Sequence, residues 1–290
     1  MSQQTAATDR FRQAAEQLAS DKINVRLSGV YLLERLAKDS PSDQATVYSV
    51  LAAFVRTQAP ESSCDAPHAV APVDIQAALT AIGRRKPTTD RPDLNWTCLS
   101  GANLGGAHLV SADLTIANLV GANLSAANLT DAHLTDANLT RANPEGANLT
   151  RANLIRANLT DAHLVGANLT TANLYTANLT RANLASANLT RAYLAPANLI
   201  RAILVNANLT GAQLVGANLT DADLSRANLT GAQLTDANLT DAKLTGANLT
   251  GADLSRANLT GTNLIGTNLT KIRYGESTQW PKGFTPPPSR

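Results

Sequence analysis

Cys64, Cys98, His108, His133 and His163 are the side chains in this sequence best suited to hold a metal or attack a substrate. A metal centre needs three or four such ligands converging, and the two cysteines stand at no ligand spacing relative to the histidines. With only two Cys in the chain a disulfide framework is not expected, and both thiols read as incidental. The sequence carries no Gly-rich phosphate loop and no nucleophile elbow, and its many Asp are not paired at inward positions. Numerous Asn-Leu-Thr tripeptides match the N-glycosylation acceptor, yet without a secretory signal the sequence favours a structural use, Asn stacked beside Thr. The expectation is a protein that is not an enzyme, with no cofactor and no metal.

What positions these residues is a repeat. From Leu94 to Leu269 every fifth residue is Leu, 36 positions of which only Pro144 departs. Two residues before each Leu, from Ala102 to Ala257, stands Ala at all 32 positions, followed by Thr262 and Thr267. A period of five matches neither a helix nor a flat strand, so a straight element would scatter the Leu around its sides and the chain must turn a corner once per repeat. Composition agrees: 44% of residues are hydrophobic but only 3% aromatic, so Ala and Leu must build the interior. The balance of 24 Lys+Arg against 22 Asp+Glu excludes both a strongly basic nucleic-acid binder and a uniformly acidic mimic. The N-terminus lacks a basic-then-apolar signal, and no apolar run approaches the roughly 18 residues of a spanning helix, which predicts a soluble, cytoplasmic protein.

The unit Ala127-Asn128-Leu129-Thr130-Asp131 and its many copies resemble the pentapeptide-repeat family, with the motif A-(D/N)-L-x-x, over residues 92 to 270. The resemblance implies an all-β solenoid: a right-handed quadrilateral β-helix of about nine coils, four pentapeptides to a coil, with Leu and Ala pointing inward. In that register residues twenty apart stack in neighbouring coils. His133 and His163, thirty apart, then fall on opposite walls and cannot share a metal. Pro144, inward and without an N–H, is expected to leave a widening or void.

Outside the repeat the periodicity is helical. Residues 1–58 read as an α-helical domain, with stripes at Phe11, Ala15 and Leu18, at Leu32, Leu33 and Leu36, and at Val47, Val50, Leu51 and Phe54. Residues 59–72, with three Pro and no period, read as a linker. Residues 73–92 read as a cap helix and lead-in, Asp74 capping the helix and Ile75, Ala78, Leu79 and Ile82 facing the rod. The β-helix occupies 93–270, and 271–290, with Tyr274, Trp280 and Phe284, form a C-terminal cap and tail.

The outward positions carry what the core does not determine. Repeats with Leu at numbers ending in 9 are nearly uniform Asn-Leu-Thr, while those ending in 4 vary, so two opposite walls are ladders and two are individual. Along one individual wall Ile155, Tyr175, Tyr193 and Val215 form a candidate partner surface. Arg141, Arg151, Arg156, Arg181, Arg191 and Arg201 outnumber Glu145 and Asp161 and form a candidate basic belt of +4. The reading these support is a non-enzymatic interaction scaffold binding an unidentified protein, or a second copy of itself. An alternative, implied by the family resemblance, is mimicry of B-form DNA toward a type II topoisomerase such as gyrase. It is weakened because residues 91–270 carry ten Lys+Arg against eleven Asp+Glu, where a duplex bears one charge per roughly 1.7 Å. A further alternative is charge-mediated attachment of the belt to a membrane or acidic partner. Nucleic acid and membrane are both disfavoured as partners.

Overall fold

A computed structural model describes residues 3–64, 71–85 and 91–289. Part of the stretch read as a linker, 65–70, and part of the lead-in, 86–90, lie outside the described residues. The chain begins with α1 (Gln3–Leu18), α2 (Ile23–Asp39) and α3 (Gln44–Gln58), and α4 (Val73–Gly83) follows. In α1 the inward residue is Ala14, not Ala15, so the stripe runs Phe11, Ala14, Leu18. Leu33, Leu36, Val47, Leu51 and Val55 fill the bundle, and Ile75, Ala78, Leu79 and Ile82 of α4 are buried beneath it. The start signal before α3 acts one turn early: Pro41–Asp43 form a 3-10 turn in which the Ser40 hydroxyl donates to Asp43 at 2.7 Å. Asp74 does not cap α4. Its carboxylate is buried and accepts from Arg26 Nε at 2.6 Å, because the first turn of α4 lies against α2 and only an ion pair makes that burial tolerable.

After Pro92 the chain settles into the five-residue rhythm. Asp93 bridges Asp113, Cys98 bridges Asn118, and the register continues to Asn248 with Asn268, always twenty residues apart and parallel. Each Leu N–H donates forward, as Leu129 does to the Asn148 carbonyl at 2.7 Å, and each Asn N–H donates backward, as Asn148 does to Ala127 at 2.9 Å. No extended strand forms among the described residues of the rod; the ladder consists of isolated bridges. The corner consumes the remainder of each repeat. Ala132 N–H returns to the Leu129 carbonyl at 3.0 Å, closing a turn whose last central residue, Asp131, has φ +58. That conformation suits glycine, yet Arg141, Asp161 and Arg181 adopt it too, with φ of 57 to 58, held by the turn bond and by the ladder on either side.

Inside, Leu stacks on Leu and Ala on Ala at near-zero exposure from Leu94 to Leu259. Each buried Leu contributes on the order of 1.5 to 3 kcal/mol, so the column holds without aromatic residues. The core is continuous with that of the helices: buried residues form one cluster from Ala14 to Ile272. Pro144 interrupts the ladder without bending it. The bridge from Asn143 to His163 is missing because Pro144 has no N–H to donate, but His163 still donates to Ala142 and Gly146 rejoins through Val165, both at 2.9 Å.

The two ends of the rod are closed by different chemistry. At the first coil an unpaired edge would face solvent or another chain. Instead the Gln76 amide of α4 donates to the Asn103 carbonyl and accepts its N–H, both at 2.8 Å, imitating a missing strand. The Gly83 carbonyl accepts from His108 N–H at 2.8 Å, and the buried Arg85 guanidinium donates to the carbonyls of His108 and Val110 at 2.9 and 2.8 Å. Gly83 must be glycine here, since a Cβ would stand 2.9 Å from that of Ala107. Arg56 pairs with Asp93 at 2.9 Å. Residues 59–64, read as the start of a linker, are bound to the rod: Cys98 N–H donates to Ala59, Glu61 N–H donates to Trp96, and Cys64 is joined to Cys98 by a disulfide with Cα atoms 5.4 Å apart. The cysteines are therefore not incidental. Proline turns the chain back after α3, and that reversal brings together residues separated by 34 positions.

At the far end Tyr274, Trp280 and Phe284 pack on the core, the last two stacked at 5.4 Å and the first edge-on at 5.2 Å. Where Ala gives way to Thr262 and Thr267, their hydroxyls donate to the Leu239 and Leu244 carbonyls of the coil before, both at 2.8 Å.

A candidate partner-binding wall

The four walls follow from the register. Wall 1 carries the repeats of Leu94, Leu114 and onward by twenty; walls 2, 3 and 4 begin at Leu99, Leu104 and Leu109. On walls 2 and 4 the Asn side chains are consumed locally. Asn138 Oδ1 accepts both the Thr140 N–H at 3.1 Å and its hydroxyl at 2.6 Å, and the same clip recurs at Asn148, Asn158, Asn168 and beyond. The Asn-Leu-Thr tripeptides are turn-forming units.

Wall 1 differs. Ile155, Tyr175 and Val215 occupy the position after Leu in successive or nearby coils, and Tyr193 the position before it, so all four lie on this wall. Tyr175, Tyr193 and Val215 are exposed by 39 to 44%, while Ile155 is half-buried. The two tyrosine rings stack across neighbouring coils with centroids 5.9 Å apart and planes 20° from parallel. Beside them Pro196 sits at a corner where other repeats have positive φ, which its ring cannot adopt. The turn there tightens, Ala197 N–H reaching the Leu194 carbonyl at 2.7 Å, and Ala195 is drawn in to 7% exposure. Thr176, one coil below, consequently lacks the corner bond its counterparts make. The strip is thus aromatic, contiguous and slightly dented at Pro196. The opposite wall 3 offers less: Val165 and Val205 are half-buried, leaving Ile203 exposed and Ile265 alone at the end.

The arginine belt does not survive as one charged surface. Arg141, Arg181 and Arg201 are on wall 2, Arg151 and Arg191 on wall 4, and Arg156 on wall 1. Arg151, Arg156 and Arg181 each grip a carboxylate one coil away with two parallel bonds of 2.5 to 2.7 Å, to Asp131, Asp136 and Asp161. Arg201 approaches Asp221 at 3.4 Å. Asp131, Asp136 and Asp221 fall outside the interval 141 to 201 along the chain, yet each lies one coil from an arginine within it and pairs with it. The arginine hydrogen bonds hold the carboxyls of Asp131, Asp136 and Asp161 below the usual carboxylate range, desolvation opposing and the arginine charge adding to the lowering. His108, His133 and His163 stand on walls 4, 1 and 3, and no group of three metal-ligating side chains converges among the described residues. Sequence reasoning missed Gln76, Arg85 and the Cys64–Cys98 bond. Only Cys98 left a trace, occupying a place on wall 2 where the following coils have Asn.

The profile of pentapeptide repeats matches eight times, together spanning residues 93–270, more than half of the chain. This chain belongs to the pentapeptide-repeat family. Its rod is accordingly a right-handed quadrilateral β-helix, preceded here by the helical region. HetL from the cyanobacterium Nostoc, a pentapeptide-repeat protein involved in heterocyst differentiation regulation, is 37% identical over 60% of this chain and 86% of its own, with a TM-score of 0.37. Rfr23 from the cyanobacterium Cyanothece is 36% identical over 41% of this chain and 90% of its own, with a TM-score of 0.31. QnrB1, a plasmid-mediated fluoroquinolone resistance protein, is 18% identical over 58% and 84%, with a TM-score of 0.26. No curated protein matches the chain. No helix among the described residues is long and apolar enough to cross a membrane.

Proposed function

We propose that this pentapeptide-repeat protein is a non-enzymatic interaction scaffold, a rod of about nine coils whose wall 1 binds a protein partner. The observation that carries this reading is the strip of Ile155, Tyr175, Tyr193 and Val215, whose two tyrosine rings stack across neighbouring coils on the outside of the rod. Tyrosine brings area at low entropic cost together with a hydroxyl, a combination interfaces favour. The alternative of imitating a nucleic-acid duplex lacks support from the surface, because Asp131, Asp136, Asp161 and Asp236 are each clamped by arginine and present no continuous negative field. Folding and binding separate cleanly here, since the strip points outward and the core inward. Tyr175→Ser combined with Tyr193→Ser should leave the melting curve unchanged and abolish association, read as loss of captured protein or loss of sedimenting mass. Identical partners and identical mass in wild type and variant would reject the reading.

A further inference from the structure

The corner positions of wall 1, read at steps of twenty, run Trp96, Ile116, Asp136, Arg156, Thr176, Pro196, Gly216, Asp236, Arg256. The Asp-then-Arg pair occurs twice, four charges in all, and each pair is closed within the chain, Arg156 on Asp136 and Arg256 on Asp236 at 2.5 to 2.6 Å. If two such walls face each other antiparallel, a two-fold axis lying in the interface across the rods keeps every column in place and reverses the order of coils. Placed at the coil of Pro196, that axis sets Asp136 against the partner's Arg256 and Arg156 against the partner's Asp236. It is the only register that satisfies all four charges of this corner column; at the wall's other edge the same axis brings Arg191 level with its own copy. The column before Leu obeys the same reversal: Asp113 meets the partner's Arg273, His133 meets the partner's Asp253, and Tyr193 meets its own copy on the axis. In the column after Leu, Tyr175 meets the partner's Val215 and the drawn-in Ala195 meets itself. Parallel pairing would instead bring like charges to the same level.

From this complementarity we infer that the partner wall 1 fits is a second copy of this chain, docked antiparallel about a two-fold axis at Tyr193 and Pro196. The inference rests on the reading of wall 1 as an interaction surface and assigns its occupant. The contact is isologous, so each charged pair counts twice. From Asp113 to Arg273 the wall spans eight coil steps, about 38 Å long by about 10 Å wide at ordinary strand spacing and rise. That is about 400 Å² on each rod, half of a standard interface, so the dimer is weak, concentration-dependent and sensitive to salt. The apolar strip supplies the dry centre, and the charge clusters at either end fix direction and register.

Two half-inverted chains test this. One carries Asp136→Arg with Arg156→Asp, the other Asp236→Arg with Arg256→Asp. Each retains an Asp–Arg pair one coil apart, and both residue types already occur at these corners, so each should keep the wild-type circular dichroism and melting curve. Sedimentation at low salt across a concentration series should show wild type self-associating. Each half-inverted chain alone meets like charge at both ends and should dimerise at least tenfold more weakly. An equimolar mixture of the two recreates every opposite pair and should recover association to within threefold of wild type. A wild type that stays monomeric up to millimolar concentration overturns the inference, as do half-inverted chains that dimerise like wild type or a mixture no tighter than its components. The scaffold reading fails separately: a monomeric wild type that still captures another protein through Tyr175 and Tyr193 ends the dimer and leaves that reading standing.

Discussion

The rod and its helical front are stabilised according to opposite rules. Along the rod nearly every inward Leu has a like neighbour in the coils above and below, and the corners, Pro196 apart, repeat the same turn, so stability is spread over many equivalent residues. In the front each contact occurs once: one buried ion pair between Arg26 and Asp74, one amide of Gln76 posing as a strand, one disulfide. Repetition spreads stability thin and tolerates loss, whereas a cap concentrates it in a few side chains.

The largest effect should therefore come from the front. Cys64→Ser removes the bond that closes a loop of 34 residues between α3 and the first coil, worth about 2 to 4 kcal/mol if it acts mainly on the unfolded chain. Denaturant unfolding should show that loss in an early transition of the helices, while the β signal of the rod melts as before. Reductant should reproduce it in wild type and do nothing further to the variant. Equal loss across both regions would mean that rod and front share one cooperative unit, as their continuous core permits.

A smaller effect, of opposite sign, is expected inside the rod. Pro144→Leu restores the column and supplies the missing N–H, a gain of roughly 1 to 3 kcal/mol in melting experiments. The ladder on either side of Pro144 keeps its register, so a leucine there would enter between coils hydrogen-bonded as elsewhere. A variant that melts at or below the wild-type temperature would show that the surrounding coil has closed around proline.

The smallest effect lies on the surface. The carboxyls of Asp131, Asp136 and Asp161 are held low by Arg151, Arg156 and Arg181 in the folded protein and titrate normally when unfolded. Folded values below unfolded ones mean that these pairs stabilise above about pH 4 and lose their contribution as acid protonates the folded carboxylates. The groups are exposed, so the slope should be shallow and flatten in high salt. Asn at all three positions should remove it.

The division between rod and front also governs what the sequence reveals. The rod is legible because one rule, Leu every fifth residue with Ala two before, is stated over and over, and a rule repeated that often fixes the register of every outward residue too. Wall membership of Tyr175, Tyr193, Ile155 and Val215 follows from counting. The front is legible only as helices, since the residues that join it to the rod meet through the fold and not through spacing. Asp74 looks like a cap until α2 is seen to bring Arg26 against it, and Cys64 looks idle until the chain doubles back to Cys98. Arginine pairing lies between these cases. It obeys the twenty-residue step, but a tally along the chain cuts across coils and separates partners that touch.

The pitch of twenty residues also makes the rod a text that can be misaligned. Duplicating one pentapeptide would leave the Leu column intact and every ladder bond formable, yet it would carry all later residues a quarter turn onward. A single repeat inserted between Tyr175 and Tyr193 would send one tyrosine round the corner and split the strip between adjacent walls. Only additions in multiples of twenty lengthen the molecule without rewriting its faces. In a chain this repetitive, where unequal copying is easy, the intact alignment of wall 1 is a constraint that the core alone could never impose.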